Sequence, residues 1–163
     1  MILLNIVVFL LILILGIVIN NIAGKKLGSK DKKTLNQLFF YHTIIALTYY
    51  AYTVDKGVDS YTYWTYAKKI KIEKILDIFQ FDLGTNTVFL LNYIPSNLLG
   101  MSYFQGTLLY SLLGYLGIIF LYLSIKKIVP FSAKIKGIKL FPLLLFLPNF
   151  HFWSSGVGKD TIF

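Results

Sequence analysis

The sequence contains no cysteine and no arginine. Without thiols there is no disulfide framework, no thiol nucleophile and no Cys-based metal site. All sixteen basic residues are lysines. Nucleic-acid readers favour the bidentate guanidinium fork for bases and phosphates, so the net charge of +9 does not point to nucleic acid. Charge of either sign is scarce: 14% of residues are charged and 56% are hydrophobic, whereas soluble domains average about 25% charged. That shortage excludes an ordinary soluble globule. No H-x-H, H-E-x-x-H or D-x-D spacing occurs, so the sequence gives no metal site and no cofactor.

What is present is long uncharged blocks. Residues 2–23 carry no charge, and about 20 apolar residues span the hydrocarbon core of a bilayer. A secretory leader would carry a basic stretch before a shorter apolar run. Here Lys25, Lys26, Lys30, Lys32 and Lys33 follow the run instead, which predicts a retained helix. Residues 34–54 and 104–125 read as further spans, and 140–155 as a fourth. The connectors after the first and third spans carry five lysines each, whereas residues 55–103 balance five lysines against five acids. Lysine-rich connectors stay in the cytosol. The expected topology therefore places the N-terminus, residues 55–103 and the C-terminal stretch outside. The fold class predicted is all-α, a single polytopic transmembrane helix bundle bathed in lipid.

Two features are expected in the outer segment. Ile72, Ile75, Leu76 and Phe79 share one helical face opposite Lys69, Glu73, Asp77 and Gln80, the pattern of an interfacial amphipathic helix. Residues 87–100 are apolar but too short and interrupted to cross, which suits a re-entrant segment covered by protein. Thr107, Ser111 and Gly114 recur on one face of the third span, and small residues so spaced let helices approach closely.

Asp59 precedes a short aromatic stretch. It has two readings, a helix N-cap or a catalytic carboxylate at the outer membrane surface, serving as general base or metal ligand; Asp55 is the second choice for that role. At the other end, Pro148 breaks the last span, and His151, Lys159 and Asp160 follow. Lys159 and Asp160 form either an interfacial ion pair or part of a site in which Lys159 meets a phosphate as a point charge.

Three stretches, "GVDSYTYWTYA", "DLGTNTVFLLNYIPSNLLGMSYFQGTLLYSLLGYLG" and "FLPNFHFWSSGVGKD", in this order, resemble bacterial polytopic proteins of surface-polysaccharide assembly. That group comprises the GT-C-type glycosyltransferases and the O-antigen-polymerase-like proteins. The resemblance implies glycosyl transfer or glycan polymerisation from polyprenyl-phosphate-linked sugars at the outer face of the inner membrane. It implies other polysaccharide-assembly membrane proteins as partners. It also implies that Asp59, the acidic residue of the first outer loop, activates the acceptor, and that Lys159 and His151 neutralise the departing phosphate. Two departures stand against it. Such polymerases are expected to use outer-loop arginines, and they have more than four spans. "TIF" after Asp160 reads as the start of another apolar segment, so the chain is expected to be the N-terminal portion of a longer protein, inactive alone. The alternative is a small non-catalytic accessory protein of the membrane. A transporter would need ionisable groups within spans, and only His42 is placed there.

Overall fold

The computed structural model describes residues 2–25, 27–71, 73, 84–128, 134–135 and 138–162. Helix α1 (Ile2–Lys25) has 24 residues, about 36 Å at 1.5 Å per residue, enough for a hydrocarbon core of about 30 Å. Its buried positions are Ile12, Gly16, Asn20 and Gly24, one stripe at a four-residue interval. Outside that stripe lie Leu3, Leu10, Leu11 and Ile14, each more than half exposed, an apolar surface that suits lipid rather than water.

Helix α2 (Ser29–Lys56) follows after a turn. Leu35, Leu38, Phe39, His42, Ala46, Tyr49 and Thr53 are buried along it, a helical i, i+3, i+4 stripe, and the helix packs against α1 and the C-terminal half of the chain. Gly57 ends it in the left-handed region (φ 60°, ψ 34°), and its N–H donates to the Thr53 carbonyl at 3.0 Å, the glycine stop expected of a helix C-terminus. Val58 is extended, and α3 (Asp59–Ala67) starts at once.

Helix α4 (Thr85–Tyr93) and a π-helical turn (Ile94–Leu98) pack against α3. Nine helical residues reach about 13 Å, so α4 cannot cross. The amphipathic helix expected around Ile72–Gln80 falls almost wholly outside the described residues.

Helix α5 (Tyr103–Ile128) has 26 residues. With α1 it is one of two helices in the described residues that are long and apolar enough to cross a membrane. It packs against both α1 and α2. Leu35, Leu38 and Phe39 of α2 meet Tyr115, Ile118, Ile119 and Tyr122 of α5 in the main core. Polar groups tie the same three helices together. Tyr115 shares its hydroxyl proton between Asn20 Oδ1 (2.6 Å) and the Leu35 carbonyl (2.7 Å), and Asn20 donates to Asn36 Oδ1 at 3.0 Å. At the helix ends Asp31 of α2 accepts from Tyr122 at 2.5 Å and pairs with Lys126 at 2.5 Å.

A two-residue antiparallel ladder pairs β1 (Lys134–Ile135) with β2 (Ile138–Lys139); the described residues are otherwise helices and connecting turns. The stretch expected as a fourth span, 140–155, is not one helix. It consists of a kinked turn (Leu140–Leu143), a 3₁₀ turn (Leu144–Phe146) and the short α6 (Pro148–Trp153). Both breaks precede a proline. Phe141 (φ −95°, ψ 130°) stands before Pro142 and Leu147 (φ −64°, ψ 124°) before Pro148. A following proline ring clashes with a helical conformation of its predecessor, so each proline turns the chain out of the helix. A bend (Ser154–Gly158) then leads into α7 (Lys159–Ile162).

Candidate functional site

The C-terminal bend is laid against the helices at glycines. A methyl group added at Gly114 of α5 would overlap the Ser154 carbonyl, and one at Gly106 would overlap the Trp64 indole of α3. Thr107 and Ser111 of the same helix are buried. The small-residue face of α5 therefore receives α3 and the "SSGVG" bend. In the bend itself Gly156 lies against the ring of Tyr49, and Val157 joins Trp64, Tyr103 and Tyr110 in a second apolar cluster.

These contacts bring α3 and α7 to the two sides of one cleft of about 550 Å³. Asp59, Ser60 and Tyr63 line it from α3, Tyr49 from α2, and Lys159 and Asp160 from α7. Its floor is fixed by Tyr49 and Ser60, whose hydroxyls are in a short hydrogen bond. Thr161 at the far wall donates to the Gly156 carbonyl at 2.6 Å. The cleft thus presents two carboxylates, one ammonium and several hydroxyls beside aromatic rings. Burial, and then the nearby Asp59 charge, push the Tyr63 hydroxyl above its ordinary value, with Asp160 adding to the effect. A Tyr63 hydroxyl in that state stays protonated and can act as a hydrogen-bond donor to a ligand.

The residues singled out from sequence are not all brought together. Asp59 and Lys159 line the same cleft, and both are exposed. The N-cap of α3 is Val58, and no side chain caps that helix end. The Asp59 carboxylate is therefore not engaged in capping, although a negative charge in the first turn still complements the helix dipole. No ion pair joins Lys159 to Asp160 among the described residues, where the pairs found are Lys56–Asp55 and Lys126–Asp31. Asp55 is held at 2.7 Å by Lys56 on an exposed surface and does not line the cleft.

His151 lies elsewhere. It is fully buried and meets His42, their Nδ1 atoms 3.0 Å apart. A straight helix from Leu140 would have carried His151 about 16 Å toward the outer surface. The breaks at Phe141 and Leu147 shorten that path and leave it beside the middle of α2. The expected contact between His151 and a phosphate in the cleft does not follow from this position. Sequence reasoning also passed over Tyr49, Ser60 and Tyr63 as cleft residues. The run of aromatics was its only signal, and it reads equally as an interfacial belt. Among the described residues no group of three or more His, Asp or Glu is placed to hold a metal ion.

No protein-family model, no curated protein and no solved structure matches the chain.

Proposed function

We propose that this chain forms part of a multi-pass membrane enzyme that transfers glycosyl units from polyprenyl-phosphate-linked sugars, with the N-terminus and the cleft at the outer face of a bacterial inner membrane. The observation that carries the reading is that Asp59 and Lys159, from opposite halves of the sequence, line one cleft. Glycosyl transfer needs a carboxylate for the acceptor hydroxyl and a cation for the departing phosphate. In this reading the acceptor oxygen attacks the anomeric carbon and passes its proton to Asp59. The bond from the anomeric carbon to the phosphate oxygen breaks, and the polyprenyl phosphate leaves with the electron pair beside Lys159. Tyr63 and Ser60 supply hydrogen bonds for sugar hydroxyls. The exposed apolar faces of α1 and α5 support a bilayer setting, in which a polyprenyl tail lies in the same medium as the protein.

The test is surface-glycan output in cells that depend on the intact gene, with membrane abundance measured in parallel. Asp59→Asn keeps size and polarity but cannot accept the proton. Loss of glycan by a factor of about 100 or more at normal abundance, the scale of general-base catalysis, is the expected result. Unchanged output would remove Asp59 from chemistry and favour a non-catalytic membrane accessory protein.

A further inference from the structure

The buried histidine pair has a hydrogen-bond arithmetic that two neutral imidazoles do not satisfy. His42 Nε2 faces the Ser111 carbonyl at 3.0 Å, and His151 Nε2 faces the Leu145 carbonyl at 2.5 Å. A carbonyl only accepts, so each Nε2 must carry the proton. Ser155 agrees with this. Its hydroxyl donates to the His151 carbonyl at 2.5 Å, which leaves the oxygen as an acceptor toward His42 Nε2 at 3.5 Å. With both Nε2 atoms protonated, a neutral pair would point two bare lone pairs at each other across the 3.0 Å between the Nδ1 atoms. That separation is the length of an N–H···N hydrogen bond.

We infer that His42 and His151 form a buried proton-binding site, which closes when one proton beyond those of two neutral rings sits between the two Nδ1 atoms. The closed pair then holds three N–H protons on four ring nitrogens and one positive charge. Its surroundings suit a cation only through dipoles: two carbonyl oxygens at the Nε2 atoms and the Ser155 oxygen. Among the described residues the titratable rings in contact with the pair are Tyr41, which stands edge-on to His151 at 4.8 Å, and Tyr115, 6.0 Å from His42. Among the described residues no carboxylate and no lysine is hydrogen-bonded or ion-paired to either histidine. A charge at such depth without a counter-ion is costly and marks function more often than packing.

The site is coupled to the cleft through the backbone. Ser155 is bonded to the His151 carbonyl, and Gly156, the next residue, rests on Tyr49 at the cleft, so the pair and the cleft are joined by two residues of backbone. This inference rests on the histidine geometry and is independent of the glycan chemistry proposed above.

The experiment is ¹⁵N spectroscopy of the histidine-labelled chain in lipid bilayers, from about pH 8 downward through the ordinary imidazole value of about 6.5 and well to its acid side, because a buried cation titrates below an exposed one. The inference predicts protonated Nε2 on both rings, a coupling across Nδ1–H···Nδ1, and one transition in which both Nδ1 signals change together. In His151→Asn the amide N–H replaces the shared proton, so His42 should lose that transition while keeping its Nε2 proton. Two outcomes would overturn the inference. One is a closed pair that stays neutral, with one Nε2 bare against its carbonyl. The other is two independent titrations near the exposed-imidazole value of about 6.5.

Discussion

Gly156 lies so close to the ring of Tyr49 that a single methyl group there would overlap it. Tyr49 in turn is hydrogen-bonded to Ser60, at the start of α3. One glycine therefore sets how closely the C-terminal bend approaches the two elements that carry the opposite wall of the cleft. Gly156→Ala should push the ring aside and break the Tyr49–Ser60 bond. The expected loss is about 1–3 kcal/mol, the range for overpacking a filled site, read as a lower unfolding temperature in detergent. Two glycines of α5 give an internal comparison. Gly114 meets the Ser154 carbonyl, backbone that has little room to yield, whereas Gly117 has open space around it. Gly114→Ala should destabilise, and Gly117→Ala should stabilise by about 0.5–1 kcal/mol through helix propensity alone.

Tyr115 is the polar centre of the three long helices. Tyr115→Phe removes the proton shared by Asn20 and the Leu35 carbonyl while leaving the ring against Phe39 at 5.0 Å. Interhelical hydrogen bonds in membranes are worth about 0.6 and at most about 1.7 kcal/mol. The variant should lose an amount in that range, measured by denaturation in mixed micelles, and should release α1 before the α2–α5 pair.

Asp31 sets a pH limit on the other end of the bundle. Burial alone would raise its carboxyl, but hydrogen bonds from Lys126 and Tyr122 and the Lys126 charge outweigh that and hold it below 3.8. A group whose folded value is depressed contributes stability above its unfolded value and loses it as pH falls through the folded one. Thermal stability should therefore hold above about pH 5 and fall on acidification below about 3.8. Asp31→Asn should lower stability at neutral pH and flatten that acid limb, measured by thermal scans at several pH values.

Two of the three long helices were legible as apolar runs of membrane length; the third, expected as a span over 34–54, is the helix Ser29–Lys56 but is not among the helices apolar enough to cross. Residues 2–23 and 104–125 became Ile2–Lys25 and Tyr103–Ile128, with only the ends shifted. In the expected fourth span the break at Pro148 was read from the sequence, and the earlier one at Pro142 was not. Hydropathy sees both positions as apolar surroundings, and the constraint they impose falls on Phe141 and Leu147, one residue earlier. The short acidic and basic signals at Asp59 and Lys159 marked residues that the fold places on one cleft. Their neighbours there were hidden among aromatics that suit an interface equally well. The histidine pair was out of reach. Its members are 109 positions apart, and no periodicity within either segment encodes a contact between segments.

The "SSGVGKD" bend and the start of α3 face each other across one cleft. The chain has no native cysteine, so engineered pairs report proximity without background. A Cβ at Gly158 would stand 3.8 Å from Ser60 Oγ, within the reach of a disulfide. The measurement is oxidative cross-linking of the Ser60→Cys, Gly158→Cys double variant in native membranes, read as a mobility shift reversed by reductant. The account predicts efficient intramolecular cross-linking in the double variant and none in either single variant. A double variant that stays uncross-linked, while both thiols remain open to alkylation, would contradict it.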